Sequence, residues 1–469
     1  MFEAALAQLR FIIAMLLGQP LPVGALERLI EALRQTRREF GPLNPEAAEL
    51  LRGPTLDEAA RRDFQLRRFQ TQAARAARET EHYAHLFASL HLNPAQLRDE
   101  DILRLPLALA PTGPDSLTKV VARSARPALR VELSASAGPP AALFFSAYEL
   151  RLLVALNAIE LLLQEQAQAE DVVYLSFPPC DLLRHGGWGS AYARLGALVQ
   201  PAGHLPPAQA LARLAQSQAA PGKKSRPSIL LAYPSYLGAL VACGLRSGYG
   251  PADFGLERIV TSGEILTAGL KARCRRLFGP VQFWDRYSVT ALLPFEATGR
   301  ADGYLEFGLL PGLLELINPA TGAPAQAGEV GVLVATPFRP YRDTTLLLRY
   351  DIQDVARPGP EPGLTSPVLG KLAHCVRHAD GWTCPRQVQE AVEAVEDTPL
   401  PARYSMRAVA DGVGVELLVR ENTAEVYRLV ESSLQEQGVL LRELRLVTDV
   451  AQLQHPLPVR YDGQEKREH

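Results

Sequence analysis

Four short apolar runs dominate the middle of the chain, and their spacing limits what it can fold into. They are "DVVYLSF" (171–177), "SILLAY" (228–233), "RIVTS" (258–262) and "VQFWDRY" (281–287). Each is rich in β-branched or aromatic residues and is short enough to read as a strand. Helical stretches lie between them, such as 146–164 and 207–216. This alternation argues for an α/β architecture with helix-covered sheets. A strand-rich segment follows, and its "NPATG" turn (318–322) closes a hairpin.

The flanks read differently. Leu26, Leu29, Ile30 and Leu33 fall on one helical face, so the start of the chain is helical. A second helix begins near Thr55, with Glu58 three residues on, as in a capping box. Its arginine-rich continuation, "RRDFQLRRFQTQAARAARE", reads as a solvated helix face. After "RYDIQDVARPGPEPGLTSP" the chain breaks, and the remaining hundred or so residues read as a small α+β unit. There a helix is expected over 385–396 and another over 423–437, with strands at "YSMRAVA", "VGVELLVR" and "LRELRLVTD". The expected domains are therefore 1–370, with 1–128 a mostly helical lead-in, and 371–469.

A length of 469 residues favours more than one domain, and a net charge of -2 gives no whole-chain drive toward nucleic acid or acidic lipid. The apolar run Phe11–Gly18 is too short to span a bilayer and reads as a buried helix. The five cysteines are odd in number and scattered, which fits a reducing compartment, so a cytoplasmic protein is expected. "HCVRHADGWTC" (374–384) has no strong metal-ligand spacing and reads as a hinge loop. "LSASAGPPA" (133–141) fills a turn with small and hydroxyl residues. It is either a plain turn or a loop whose amides and hydroxyls meet a phosphate chain.

The order of these features resembles the adenylate-forming ligases, and most of all the phenylacetate–coenzyme A ligase branch, over roughly residues 60–467. The resemblance makes Ser134, Ser136 and Gly138 the remnant of a phosphate loop. It assigns the adenine edge to Ser262, Gly263 and Glu264, the adenine face to Tyr287 and the phosphates to Thr290. "AYPSYLGAL" (232–240) marks the floor near the acyl pocket, and "RLGALVQPAG" (194–203) matches a packing segment. In "LRYDIQDVA" (348–356), Arg349, Tyr350 and Asp354 match, with Gln353 in place of a glycine, and Asp354 would accept the ribose hydroxyls. The hinge would pivot near Lys371. Pro458, Arg460 and Gly463 align with the closing motif. Gln464 takes the place of its lysine, and Lys466 becomes the candidate catalytic cation.

Two further departures matter. Ala291 replaces the glutamate that helps hold Mg²⁺, and Glu296 is a candidate to compensate. Ala297 and Leu305 stand where many relatives carry zinc ligands, so no metal site is assigned. The resemblance implies a divergent, ATP- and Mg²⁺-dependent ligase. It would convert a small carboxylic acid to its adenylate and pass the acyl group to a thiol, of coenzyme A or a carrier protein. The alternative it leaves open is a catalytically impaired homologue that binds a nucleotide, an acyl-adenylate or a protein partner. No nucleic-acid or membrane partner is expected.

Overall fold

The computed structural model describes residues 2–20, 23–42, 56–133, 141–300, 302–379 and 381–462. The four apolar runs form strands Val172–Leu175, Ile229–Ala232, Arg258–Ser262 and Gln282–Ser288. With Leu198–Pro201 at one edge they make a parallel sheet. Three antiparallel strands, Glu296–Gly299, Leu305–Phe307 and Leu364–Thr365, extend it to eight.

Successive residues of the parallel strands enter two different cores, which is why these runs are apolar throughout. Val173, Leu175, Ile229, Leu231 and Val260 pack with the helices Val23–Phe40, Ala147–Leu163 and Leu182–Arg194. Tyr174, Leu230, Ala232 and Ile259 pack with Pro207–Ala215, Pro234–Arg246 and Ala268–Phe278 on the other side. A second, antiparallel sheet follows in the order Gly312–Ile317, Gly331–Pro337, Tyr350–Ala356 and Gly370–Lys371. Gly370 and Lys371, at the expected boundary, thus still pair with Val355 and Asp354.

The C-terminal unit has its own core. Tyr404–Val409 pairs antiparallel with Gly412–Leu418, which pairs parallel with Leu441–Val447. Helices Pro385–Ala394 and Ala424–Glu436 contribute Val388, Val392, Val430 and Leu434 to that core. The fold is therefore a large α/β domain with a small α+β domain behind it.

Several local expectations change. The helix Phe2–Leu17 buries Phe11 but leaves Leu9, Ile13 and Leu17 exposed, so it is amphipathic rather than buried. The second helix is capped by Asp57, whose side chain accepts from the Ala60 amide at 2.8 Å, whereas Thr55 lies outside the described residues. Its arginines are not all solvated. Arg68 and Arg75 are buried, and Arg75 meets Asp343 through an ion pair of 2.8 Å and the Asp343 carbonyl at 2.9 Å. Gly187 and Gly189 lie within Leu182–Arg194. A side chain there would press on Leu153 or Leu175, so these glycines permit close packing.

The two domains join through an exchange of helix caps. Thr267 caps the helix Ala268–Phe278. Two carboxylates of the small-domain helix Pro385–Ala394 reach that same end. Glu390 accepts from the Ala268 amide at 2.8 Å, and Glu393 accepts from the Thr267 hydroxyl. In return, Arg273 donates to the carbonyls of Glu393, Val395 and Thr398 that follow the small-domain helix. Both contacts complement helix dipoles. Gly269 permits the approach, since a Cβ there would lie 2.2 Å from the Glu393 carbonyl oxygen.

Burial raises the Glu393 carboxyl to about 7, against the hydrogen bonds from Thr267 and Gln389. An acid whose folded pKa is raised stabilises the folded state below its unfolded value, and that contribution fades as pH climbs through the folded value. Resistance to urea is therefore expected to fall between about pH 4.5 and 7. Glu393 contributes up to about 1.4 kcal/mol per pH unit to this fall. In Glu393→Gln that share is expected to vanish, leaving the share of Glu296, which is raised to about 7 as well. An unchanged slope in the variant contradicts the assignment.

Candidate active site

The site gathers at the carboxyl ends of the parallel strands, where an open α/β sheet commonly leaves a crevice. Ser262 closes one strand and is fully buried. Its hydroxyl lies 3.1 Å from that of Ser288, the last residue of the neighbouring strand. Gly263 follows with φ +80, a conformation that favours glycine. This turn presents Glu264.

Both carboxylate oxygens of Glu264 make contacts. One carboxylate oxygen accepts from the Ser235 amide at 2.7 Å, at the start of the helix Pro234–Arg246. The other accepts from the Arg460 amide at 2.6 Å. The C-terminal segment is thereby drawn across the turn. The Arg460 Nε donates to the Gly263 carbonyl at 3.2 Å, and its guanidinium stands 4.9 Å over the Tyr233 ring. The Tyr461 amide donates to the Ser235 hydroxyl at 3.1 Å, and its ring packs edge-on against Tyr236 and His204. Burial, helped by Arg460, lowers the His204 imidazole to about 4, so it is neutral at neutral pH.

Beneath this segment, the Tyr233 hydroxyl donates to Asp181, which also pairs with Arg184 at 2.9 Å. Burial alone would raise the Asp181 carboxyl, but Arg184 and Tyr233 hold it below the ordinary range. Arg184 then donates to the Ser288 hydroxyl at 3.2 Å and its carbonyl at 2.9 Å. A continuous polar chain therefore links Tyr233, Asp181, Arg184, Ser288 and Ser262. Sequence reasoning singled out Ser262 and the "YPSY" turn but missed Asp181 and Arg184. The only signal for them was a helix N-cap followed three residues later by an arginine.

Asp354 lies on the strand Tyr350–Ala356. It accepts from the Tyr287 hydroxyl at 2.7 Å and from Lys371 Nζ at 2.8 Å. Burial and the adjacent Asp354 push the Tyr287 phenol far up, so it remains a donor at neutral pH. Two contacts leave free lone pairs on a carboxylate, so Asp354 retains capacity for further donors. Gln353, at the glycine position of the resemblance, has φ +64, which accounts physically for a glycine there. A non-glycine residue in this region costs roughly 1–2 kcal/mol, against which the Gln353 amide donates to Asp351 at 3.0 Å.

The other expected site residues divide. Arg349 is buried away from this group. It forks onto Glu315 at 3.0 and 3.1 Å and donates to the carbonyls of Leu103 and Leu105, so it ties the lead-in helices to the second sheet. Thr290 sits in the turn that follows Tyr287 and Ser288. Ser134, Ser136, Gly138 and Lys466 lie outside the described residues.

The described residues at the expected position do not suit a Mg²⁺ ion. Ala291 is fully buried among Leu292, Leu293 and Phe295. Glu296 cannot stand in, because its carboxylate is buried 3.7 Å from Arg286, and burial raises it to about 7. Among the described residues no group of three or more His, Cys, Asp or Glu could hold a metal ion. No described helix is long and apolar enough to cross a membrane.

The chain has the fold of the adenylate-forming ligases. It is similar to the 2-hydroxyisobutyryl-CoA ligase in the postadenylation state, in complex with 2-HIB-AMP. There the TM-score is 0.67 at 17% identity, over 84% of this chain and 87% of that one. Against the same ligase with 2-HIB-AMP and CoA in the thioesterification state, the TM-score is 0.56 at 18% identity, over the same shares. Similarity extends to the anthranilate CoA ligase in complex with anthranoyl-AMP, with TM-score 0.52 and 15% identity over 68% of this chain and 63% of that one. No protein-family model and no curated protein sequence matches the chain.

Glu264→Ala removes the acceptor of two backbone amides. The cost expected is about 0.5–1.5 kcal/mol, the net worth of a hydrogen bond that water can partly replace. Amide exchange at Arg460 and Tyr461 should accelerate accordingly, while exchange in Tyr404–Val409 stays unchanged. Equal acceleration in both places would mean that Glu264 supports the whole small domain instead.

Proposed function

We propose that this protein binds an adenine nucleotide and uses ATP to convert a small carboxylic acid to its adenylate, as a divergent acid–thiol ligase. The observation that carries this reading is the placement of Asp354. It carries spare acceptor capacity, and two donors, Tyr287 and Lys371, fix its orientation. The phenylacetate–coenzyme A ligase branch remains the nearest description of its motifs.

In this reading Asp354 accepts both ribose hydroxyl protons, and Tyr287 presents its ring to the base. The Gly263–Glu264 turn holds the adenine edge, while Thr290 and the 134–138 loop meet phosphate oxygens. An acid carboxylate oxygen attacks the α-phosphorus, the bond to the bridging oxygen breaks, and pyrophosphate leaves. The chain itself positions the reactants and neutralises charge. Lys466 is the cation assigned to the developing charge. A thiolate, of coenzyme A or a carrier protein, then attacks the acyl carbon and AMP departs. No step is assigned to Mg²⁺, since Ala291 and Glu296 offer it no ligand.

Ala291 favours a second reading, in which the fold binds a nucleotide or an acyl-adenylate without turnover. Loss of one transition-state donor commonly costs a hundredfold or more in rate, so a position where no carboxylate fits weighs against fast chemistry.

Calorimetric titration with ATP and AMP, followed by a pyrophosphate-release screen across small acids, separates these readings. One nucleotide per chain should bind, with an affinity that Mg²⁺ leaves nearly unchanged. Asp354→Ala should weaken it at least tenfold. Under the ligase reading an acid gives pyrophosphate, and Lys466→Ala abolishes the release while sparing AMP binding. Under the second reading nucleotide binds and no acid gives pyrophosphate. Failure of ATP, AMP and an acyl-adenylate mimic to bind would remove both.

A further inference from the structure

The connection between the domains carries two cysteines that the nucleotide site does not use. The strands Val376–His378 and Gly381–Thr383 pair antiparallel, with Val376 opposite Thr383. Cys375 and Cys384 are therefore the next opposing positions, at the open end of this hairpin. Opposing residues in such a ladder lie about 4.5–5.5 Å apart between Cα atoms, inside the span a disulfide accepts. The two side chains pack against the same buried cluster. Cys375 also lies 3.3 Å from the carbonyl of Lys371, the residue paired with Asp354.

Their surroundings lie on the domain seam. Cys384 is fully buried against Val330, Val332, Val355 and Leu369 of the large domain, with Cys375 and Trp382 packed beside it. It also opens the small-domain helix Pro385–Ala394 as the N-cap residue. The pair thus spans the strap by which the chain passes from Lys371 to that helix.

We propose that Cys375 and Cys384 form a reversible redox modification site, in which hydrogen peroxide converts the two thiols to a disulfide across the base of the hairpin. The Cys375 thiolate attacks one peroxide oxygen, the O–O bond breaks, and hydroxide leaves and takes up a proton as water. The Cys384 sulfur then attacks the resulting sulfenic sulfur, the S–O bond breaks, and a second water departs. Two thiols and one peroxide give one disulfide and two waters. A dithiol reductant reverses the change by exchange. Accessibility supports this division of roles, since Cys375 is the more exposed of the two and Cys384 is buried beside it. The loop closed is short, so the cross-link adds less entropic stability than a long-range one would. Its effect is local: the strap becomes a covalent ring, and the hairpin can no longer open at its base.

The test uses the full-length wild-type chain. After treatment with hydrogen peroxide, peptide mapping without reductant should recover a Cys375–Cys384 cross-link. Amide exchange within 376–383 should slow at least tenfold, and dithiothreitol should restore both. Exposed Cys180 reports that the oxidant reached a thiol. Cys180 oxidised while Cys375 and Cys384 still alkylate as free thiols would overturn the proposal. So would recovery of the pair as two separate sulfinic acids. In Cys375→Ser, a change at the more exposed partner, the exchange response to peroxide should disappear, and its persistence counts against the pairing.

Discussion

One buried guanidinium sets the geometry on which the rest of the site depends. Arg286, in the strand Gln282–Ser288, has almost no exposure and faces three carboxylates. Glu165 lies at 2.8 Å, Glu160 at 2.9 Å and Glu296 at 3.7 Å, and the Trp188 ring sits 5.2 Å away. Taking these charges out of water is costly, and removing one partner of such a set typically costs 3–5 kcal/mol. The arrangement therefore tolerates no slip. Side chains alternate along a strand, so fixing Arg286 on the helix side fixes Tyr287 on the other. That is how the phenol comes to meet Asp354.

The same constraint explains why Glu296 is unavailable to a phosphate-bound cation. It pairs with Arg286 by position, as the strand Glu296–Gly299 runs antiparallel beside it with Ser288 opposite Glu296. A carboxylate five residues beyond Ala291 looks like a substitute when the chain is read as a line. In the sheet it belongs to the charge cluster beneath the crevice. The crevice thus keeps the Asp354–Tyr287 pair, and a buried methyl group stands at position 291.

The sequence was most legible where periodicity is strongest. The run 258–262 became the strand Arg258–Ser262 without change, and the small-domain elements fell within a few residues of their expected ends. Arg349, Tyr350 and Asp354 were legible as a motif, but motif membership did not separate their environments. A left-handed turn, φ +49 at Arg349, sends that side chain to Glu315 while Asp354 faces Tyr287. Burial of Arg68 and Arg75 was illegible because their partners, the Arg339 carbonyl and Asp343, lie some 270 residues away. The hold of Glu264 on Arg460 was hidden for the same reason: no local pattern announces a bond to a distant backbone amide.

That last contact has a consequence for how the protein is made. Glu264 and the Arg460 amide are 196 residues apart, and Ser235 and Tyr461 are 226 apart. Domains tend to fold as units while the chain emerges, the N-terminal one first, at roughly 5–20 residues per second. The eight-stranded sheet and its crevice therefore exist for many seconds before the segment that covers the turn leaves the ribosome. During that interval the Ser235 hydroxyl and the Glu264 oxygen that later accepts from Arg460 stand open to water. A nascent chain carries an uncovered turn, and Arg460 and Tyr461 settle onto it only after the rest of the sheet has formed.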